Sequence, residues 1–522
     1  MKLNTKRTIF VGFAFFLISL FWQAYDATIA LTLTNKFGMD HFWSGVVMAL
    51  DNILALFLLP LFGTLSDKHN GKSGRRTPFI RFGTAVAAVA LVALSFVDNM
   101  QLDLIKDIST VDDPAALSII YDTQCDKTLK TPKGTEFDLS TKFPDKEKFV
   151  AIRSTDDVKD VANKDEDKTP YTSYVVPARQ AFAADQTAAN PAPLIIFVIV
   201  LLVLLVAMGT FRSPAVALMP DVTLKPLRSK ANAIINLMGN AGGIIVLLLG
   251  MGFAFGISKA SNAMMSYTPY YLVIAGTMVA ALVIFLSTVR EKEWAAQMQS
   301  DAIRYGIEDE PDSPTDEQKK LSKGQMFSLI CILLSVALWY FGYNAVTSKY
   351  SVYAPNVLLM GYSETMLIAQ ACAIVSYLPA GMIASKVGRK KTILVGVAML
   401  TTAFTVASFM SSSSPAWLMY IMFALAGIAW ATINVNSFPM VVEMCSGSDV
   451  GKYTGFYYTA SMAAQALTPM ISGYLMKKIA DTILFPYAAV FVALAFVTML
   501  LVKHGDTMPV RKKGLEALDI ED

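Results

Sequence analysis

Apolar residues in this chain fall into long unbroken runs. Stretches of about twenty residues with almost no charge recur near 8–33, 43–65, 78–98, 193–219, 230–256, 268–289, 325–346, 363–384, 391–410, 415–441, 453–476 and 482–502. At 1.5 Å rise per residue each can cross a hydrocarbon core about 30 Å thick. Helices are the expected form, because a single segment in lipid must satisfy its own backbone polar groups. The pattern thus predicts twelve membrane-spanning helices. The first run follows Lys2, Lys6 and Arg7 in the manner of a signal peptide. It continues through Trp22, Tyr25 and Asp26 with no small-residue cleavage site, so it reads as a retained helix.

Two polar stretches break the rhythm. Residues 99–191 carry more acidic than basic side chains and predict a small extracytoplasmic cap, in which KFVAI and YTSYVV have the alternation of short strands. Residues 291–324 hold the charged, proline-containing DEPDSPTDEQKK and read as a cytoplasmic tether. The expected organisation is an N-terminal half over 1–290, this tether, a C-terminal half over 325–502 and a tail over 503–522.

Composition sharpens the class. With 54% hydrophobic and 16% charged residues the chain is not a soluble enzyme. The balance of 44 basic against 41 acidic residues gives no reason to expect a nucleic-acid partner. Basic residues cluster in short loops: Lys68, Lys72, Arg75 and Arg76; Lys225, Arg228 and Lys230; Lys386, Arg389, Lys390 and Lys391. The loops between spans one and two and between spans nine and ten carry only Lys36, so both termini are expected in the cytoplasm of a cell-membrane protein. Four scattered cysteines, three loop histidines and no phosphate-binding loop leave no cofactor, metal or catalytic nucleophile to expect.

The halves repeat. LPLFGTLSDK at 59–68 matches LPAGMIASK at 378–386, and GRRT at 74–77 matches GRKKT at 388–392. WQAYDAT at 22–28 matches WYFGYNAVT at 339–347 in the same order. Further, GTLSDKHNGKSGRRTPFI at 63–80 resembles the loop between helices two and three of the major facilitator superfamily, in the GRR-x-PFI form of sucrose:proton symporters. LDNI at 50–53 and FRSPAVALMPDVTLKPLRSKANAIINLMG at 211–239 are similar to the same sugar-transporter group, which includes the glycoside-pentoside-hexuronide cation symporters. The resemblance implies an all-α membrane protein of two six-helix pseudo-symmetric halves that works by alternating access. It implies a sugar as substrate and a proton or sodium ion as coupling cation, and a monomer in the lipid bilayer is expected because each six-plus-six unit encloses its own pathway. The 99–191 segment departs from the family pattern.

Charge within a bilayer costs about 2.5 to 3.5 kcal/mol per residue on insertion scales, so buried ionisable groups are candidates for function. Asp26 and Asp51 fall at similar depth and can face each other, an arrangement suited to reversible protonation. With Asn52 alongside, the same oxygens suit sodium. The repeat sets Asp26 against Asn344 and Asp51 against Gln370, which points to ion coupling in the first half and sugar-hydroxyl recognition in the second. Arg212 is too deep to reach water easily and needs a carboxylate or sugar oxygens as partner. Asn232, Asn236 and Asn240 share a helix face, while Asn434, Asn436 and Gln465 add amides at comparable depth. Trp22, Tyr25, Trp339 and Tyr343 offer rings for stacking. Asp67, Arg75, Arg76, Asp221, Arg389 and Glu443 form the cytoplasmic gate that the resemblance implies. Each of these residues also has a plainly structural reading, as packing, helix glue or topology signal. A family exporter of apolar compounds, and a non-transporting sensor that binds ligand through 99–191, are the competing functions.

Overall fold

The structure is a computed structural model that describes residues 3–71, 73–158, 166–224, 227–253, 264–305, 322–442 and 450–504. Glu443, residues 306–321 of the tether and most of the tail lie outside the described residues. The long helices of the first half are α1 (Thr5–Leu31), α2 (His41–Lys68), α3 (Thr77–Leu104), α4 (Ala192–Asp221), α5 (Arg228–Gly252) and α6 (Thr268–Thr288). Those of the second are α7 (Lys323–Tyr353), α8 (Tyr362–Val387), α9 (Arg389–Ser408), α10 (Ala416–Val442), α11 (Val450–Lys478) and α12 (Leu484–Leu500). Among the described residues, eleven segments are long and apolar enough to cross a membrane. The 29-residue α11 is not one of them. Its Ser, Thr, Gly, Gln and Tyr content suits a helix packed along α2.

Local chemistry starts these helices where they start. Asn4 accepts from the Arg7 N–H at 3.2 Å, Asp40 from the Trp43 N–H at 3.0 Å, and Ser322 with Gln325 makes a reciprocal capping box. Prolines inside α2, α4, α8, α10 and α11 are tolerated because neighbouring helices compensate the freed backbone groups. The repeat extends to backbone detail: α1 and α7 each run on into a π-helical turn, Thr32–Lys36 and Ala354–Leu358. Each half has its own apolar core, one built around α1, α3, α4 and α6, the other around α7, α9, α10 and α12. The halves meet where α2 packs on α11, α5 on α8 and α1 on α7. Glycine makes the first of these contacts close, since a side chain on Gly45 would fall on the Pro469 carbonyl and one on Gly473 on the His41 carbonyl.

Residues 105–158 and 166–189 fold over one end of the bundle, called here the cap end. The opposite end, with the basic loops, is the basic end. The cap has its own core, including Ile105, Leu117, Phe149, Tyr171 and Val175. Its strands are not the expected ones. Thr128–Lys130 pairs antiparallel with Glu136–Asp138, whereas KFVAI lies in and just beyond the helix Lys146–Val150 and YTSYVV begins a helical run from Tyr171 to Ala189. Capping overrides alternation there: the Asp157 carboxylate accepts from the Tyr171 N–H at 2.9 Å and the Thr172 hydroxyl at 2.5 Å. Lys36 also departs from its expected place in a loop. It ends the helical run of α1, fully buried, with Nζ 2.6 Å from Asp98 and 3.5 Å from the centre of the Tyr267 ring. The charge that sequence counting assigned to a wet loop is a packed ion pair.

Candidate functional site

The two carboxylates that depth alone paired are neighbours in space. Asp26 and Asp51 are both half-buried, and their charges act on each other across α1 and α2. Asp51 Oδ1 accepts from the Asn52 backbone N–H at 2.6 Å and its side-chain amide at 2.7 Å. Arg212, brought in by α4, is within electrostatic reach of Asp51, and its guanidinium lies 5.5 Å from the centre of the Trp22 ring. Trp22 in turn meets Tyr25 edge-on at 5.5 Å. Trp22 Nε1 and the Tyr25 hydroxyl are buried with no hydrogen-bond partner among the described residues. A burial cost of this kind marks groups that a bound molecule or water can satisfy.

The second half answers with rings and amides. Tyr343 stacks on Trp430 at 3.6 Å and 3°, and Tyr340 meets the same indole edge-on at 5.2 Å. Tyr377 bonds to Asn434. Asn344 spends its amide on the Tyr340 carbonyl one turn back, at 3.1 Å. The halves touch beside the carboxylates: Gln370 donates to Gln23 at 2.5 Å, and Gln23 donates to the Tyr362 hydroxyl at 2.9 Å. Tyr343 and Tyr362 both sense the charge of Asp26. Asp26 is thus within electrostatic reach of the second half.

Some expected members stand apart. Trp339 is fully buried in the second core. Asn436 is 2% exposed and donates to its own Thr432 carbonyl at 2.8 Å. Asn236 is exposed and bonded to Asn232 at 3.0 Å, while Asn240 and Gln465 are half-buried on α5 and α11. Gln23, Tyr362, Tyr377 and Trp430 were not anticipated. Gln23 had a signal, for it lies three residues before Asp26 on one face of α1. The others had none beyond being aromatic residues within apolar runs.

At the basic end, Arg76 ties three elements together. Its guanidinium reaches Ser66 Oγ and Asp67 at 2.5 Å each and Asp221 at 2.8 Å, and Arg75 lies 3.4 Å from Asp221. Burial alone would lower the Arg76 pKa, but bonds to Asp221 and Asp67 hold it above its ordinary value. The loop is shaped by Glu291, which follows α6. Its buried carboxylate accepts from the N–H groups of Arg75, Arg76 and Thr77 at 2.6 to 2.8 Å and from the Thr77 hydroxyl at 2.8 Å, capping α3. Gly74, at φ +112°, lies against that carboxylate where a side chain would collide. Asp67, Arg75, Arg76 and Asp221 thus pair with one another inside the first half. Arg389 is buried at the start of α9.

The cap end is where the halves close. His41 Nε2 lies 2.9 Å from Asp481, Lys477 donates to Asp40 at 2.7 Å, and the fully buried Lys349 donates to Ser44 at 2.8 Å and the His41 carbonyl at 3.0 Å. Burial would raise the Asp40 pKa, but the Lys477 ammonium and the Trp43 and Phe42 N–H groups hold it below the usual carboxylate range. Toward the basic end, α2 and α8 instead expose large apolar side chains, Phe57 and Val375 most of all.

Comparisons place this geometry. The family model of the Major Facilitator Superfamily matches residues 180–377 and 365–517. The inward-open xylose transporter XylE from E. coli superposes with a TM-score of 0.58 over 99% of both chains, at 14% identity, which speaks to fold. The MFS-type transporter ppzB of Metarhizium rileyi is 26% identical over 141 residues, 27% of this chain and 29% of that one. The sucrose transport protein SUC4 of Arabidopsis thaliana is 28% identical over 74 residues, 14% of each chain. The aligned segments thus span less than a third of these curated relatives. With the family model matching well over half of its residues, and its helices folded in the corresponding way, the chain belongs to the Major Facilitator Superfamily.

Proposed function

We propose that this transporter carries a sucrose-like disaccharide or related glycoside across the cell membrane together with a proton, as a monomer with cytoplasmic termini. The observation that carries the reading is the cluster of Asp26, Asp51 and Arg212 over Trp22, facing Tyr343 and Trp430 across the halves. While Asp51 is charged it holds Arg212. Protonation of the pair frees the guanidinium to take sugar oxygens in a bidentate fork, so substrate and proton bind together. Aromatic faces at Trp22 and Trp430 suit the apolar face of a pyranose, and Gln370, Asn434 and Gln23 suit its hydroxyls. A proton fits this cluster better than sodium. A hard cation needs several oxygen ligands, whereas Asp51 Oδ1 already accepts two N–H bonds and the nearby guanidinium repels a metal ion. The likeness to a sucrose transport protein over 74 residues supports the same substrate class.

Closure at the cap end, with Asp67, Arg75, Arg76 and Asp221 paired inside one half, matches a cavity that faces the basic end. In this reading that end is the cytoplasm, and the basic-end pairs shift toward the second half when the cavity turns outward. The test is uptake of labelled sucrose, maltose and related glycosides into vesicles under an imposed proton or sodium gradient. Proton-driven accumulation is the expected result. If the folded protein moves no sugar under either gradient, the exporter reading replaces this one.

A further inference from the structure

The cap rides on one half and grips the other. It is fixed to the first half by chain continuity with α3 and α4. Gln180 also donates to Asn35 at 2.8 Å, and Gln101 donates to Thr187 at 2.9 Å. Gly38, at φ +63°, sits directly against the Gln180 carbonyl and the Ala184 backbone, a contact no side chain would allow. The tip of the cap hairpin then reaches the turn between α11 and α12. The Pro132 carbonyl accepts from the Asp481 N–H at 2.9 Å, and Lys130 donates to the Lys478 carbonyl at 2.9 Å. Gly134, at φ +95°, packs so tightly there that an added Cβ would lie 2.5 Å from the Ile479 carbonyl and 2.9 Å from Ala480 Cβ. A second contact sets the Tyr171–Val175 turn against Ala354–Leu358, the π-helical end of α7.

Asp481 stands at the centre of this junction. Its N–H is held by the cap and its carboxylate by His41 of α2. Alternating access requires α2 and α11 to part at this end, and a cap fixed to the first half must then let go of the turn. Contacts present in only one state stabilise that state. We infer that the cap is a clasp, whose Thr128–Asp138 hairpin grips the α11–α12 turn and holds the transporter closed at the cap end. The clasp rests on the alternating-access reading but not on the identity of the substrate.

The test uses the full-length protein in lipid nanodiscs, with the four native cysteines replaced by serine. Spin labels are placed at Ile119 of the cap and Trp417 at the start of α10, both exposed and away from the junction. Electron–electron distance measurement then counts closed and open molecules with no sugar present. Failure of sugar uptake therefore leaves the clasp tested in its own right. Gly134→Val loosens the grip from the cap side and Ala480→Leu from the turn side. Loss of the Asp481–Pro132 bond, together with weakening of the one from Lys130, predicts a rise in the long-distance population of about tenfold. A rise in either variant that melts like the parent protein supports the clasp. Parent-like distributions in both variants overturn it, as does a hairpin that stays on the turn in the long-distance molecules.

Discussion

The two halves share a plan and differ in chemistry. Both begin with a helix that ends in a π-helical turn and both carry a proline at matched positions in their second helices, Pro60 and Pro379. Yet the first half places Asp26, Asp51 and Arg212 at the centre, where the second places Tyr343, Trp430, Tyr377 and Gln370. Duplication supplies the frame for two jobs, and substitution separates them. In the proposed reading, charge that changes state belongs to one half and neutral surface that recognises shape to the other. Gln370, the repeat partner of Asp51, keeps the hydrogen-bonding capacity of a carboxylate without its proton chemistry.

The sharpest way to break this division is to remove the charge. Asp51→Asn and Asp26→Asn are expected to abolish gradient-driven accumulation in vesicles while leaving sugar exchange across a dissipated gradient intact. Accumulation that survives in both variants moves the coupling site elsewhere. A second test concerns the anchor at the basic end of the first half. Glu291→Ala leaves several buried donors of the Arg75–Thr77 loop unpaired, a loss of about 3 kcal/mol. A fall in melting temperature with Glu291→Gln intermediate is the expected order, because glutamine keeps one acceptor oxygen. Third, Trp430→Ala removes the partner stacked on Tyr343, a pair worth about 1 kcal/mol beyond buried area, so KM for sugar rises about fivefold at unchanged coupling ratio. A changed coupling ratio in that variant would show the halves to be less separate than proposed.

Much of this was legible in the sequence, and the part that was not has a physical cause. Charge and proline are rare inside lipid, so Asp26, Asp51, Arg212 and the proline-marked repeat stood out against the apolar runs. Helix rotation did not. In a membrane the lipid-facing and protein-facing sides of a helix are both apolar, which removes the periodicity that orients a helix in water. Sequence alone therefore cannot separate Trp339, which the structure buries in the second core, from Trp430, which stacks on Tyr343. The cap failed for the opposite reason. Its short runs alternate as strands do, but capping by Asp157 and burial of all of Tyr171–Val175 made that segment helical.

The smallest expected effect lies at the junction between the halves. Asp40 of the first half meets Lys477 of the second, and in the closed state its carboxyl is held below the usual range. In the open state Asp40 loses the lysine and returns toward its ordinary value of about 3.9. The open state then binds more protons at acidic pH, so the pair favours closure above that value and stops favouring it as pH falls through the closed-state value. Both side chains are partly exposed, which limits the contribution to under about 1 kcal/mol, or up to about fivefold in the closed-to-open ratio. Distances between spin labels on the two halves should therefore lengthen slightly as pH drops below the ordinary carboxylate value. Lys477→Met should remove that acid response and reduce closure at neutral pH by the same factor. An acid response that persists in Lys477→Met would show that the Asp40–Lys477 pair is not its source.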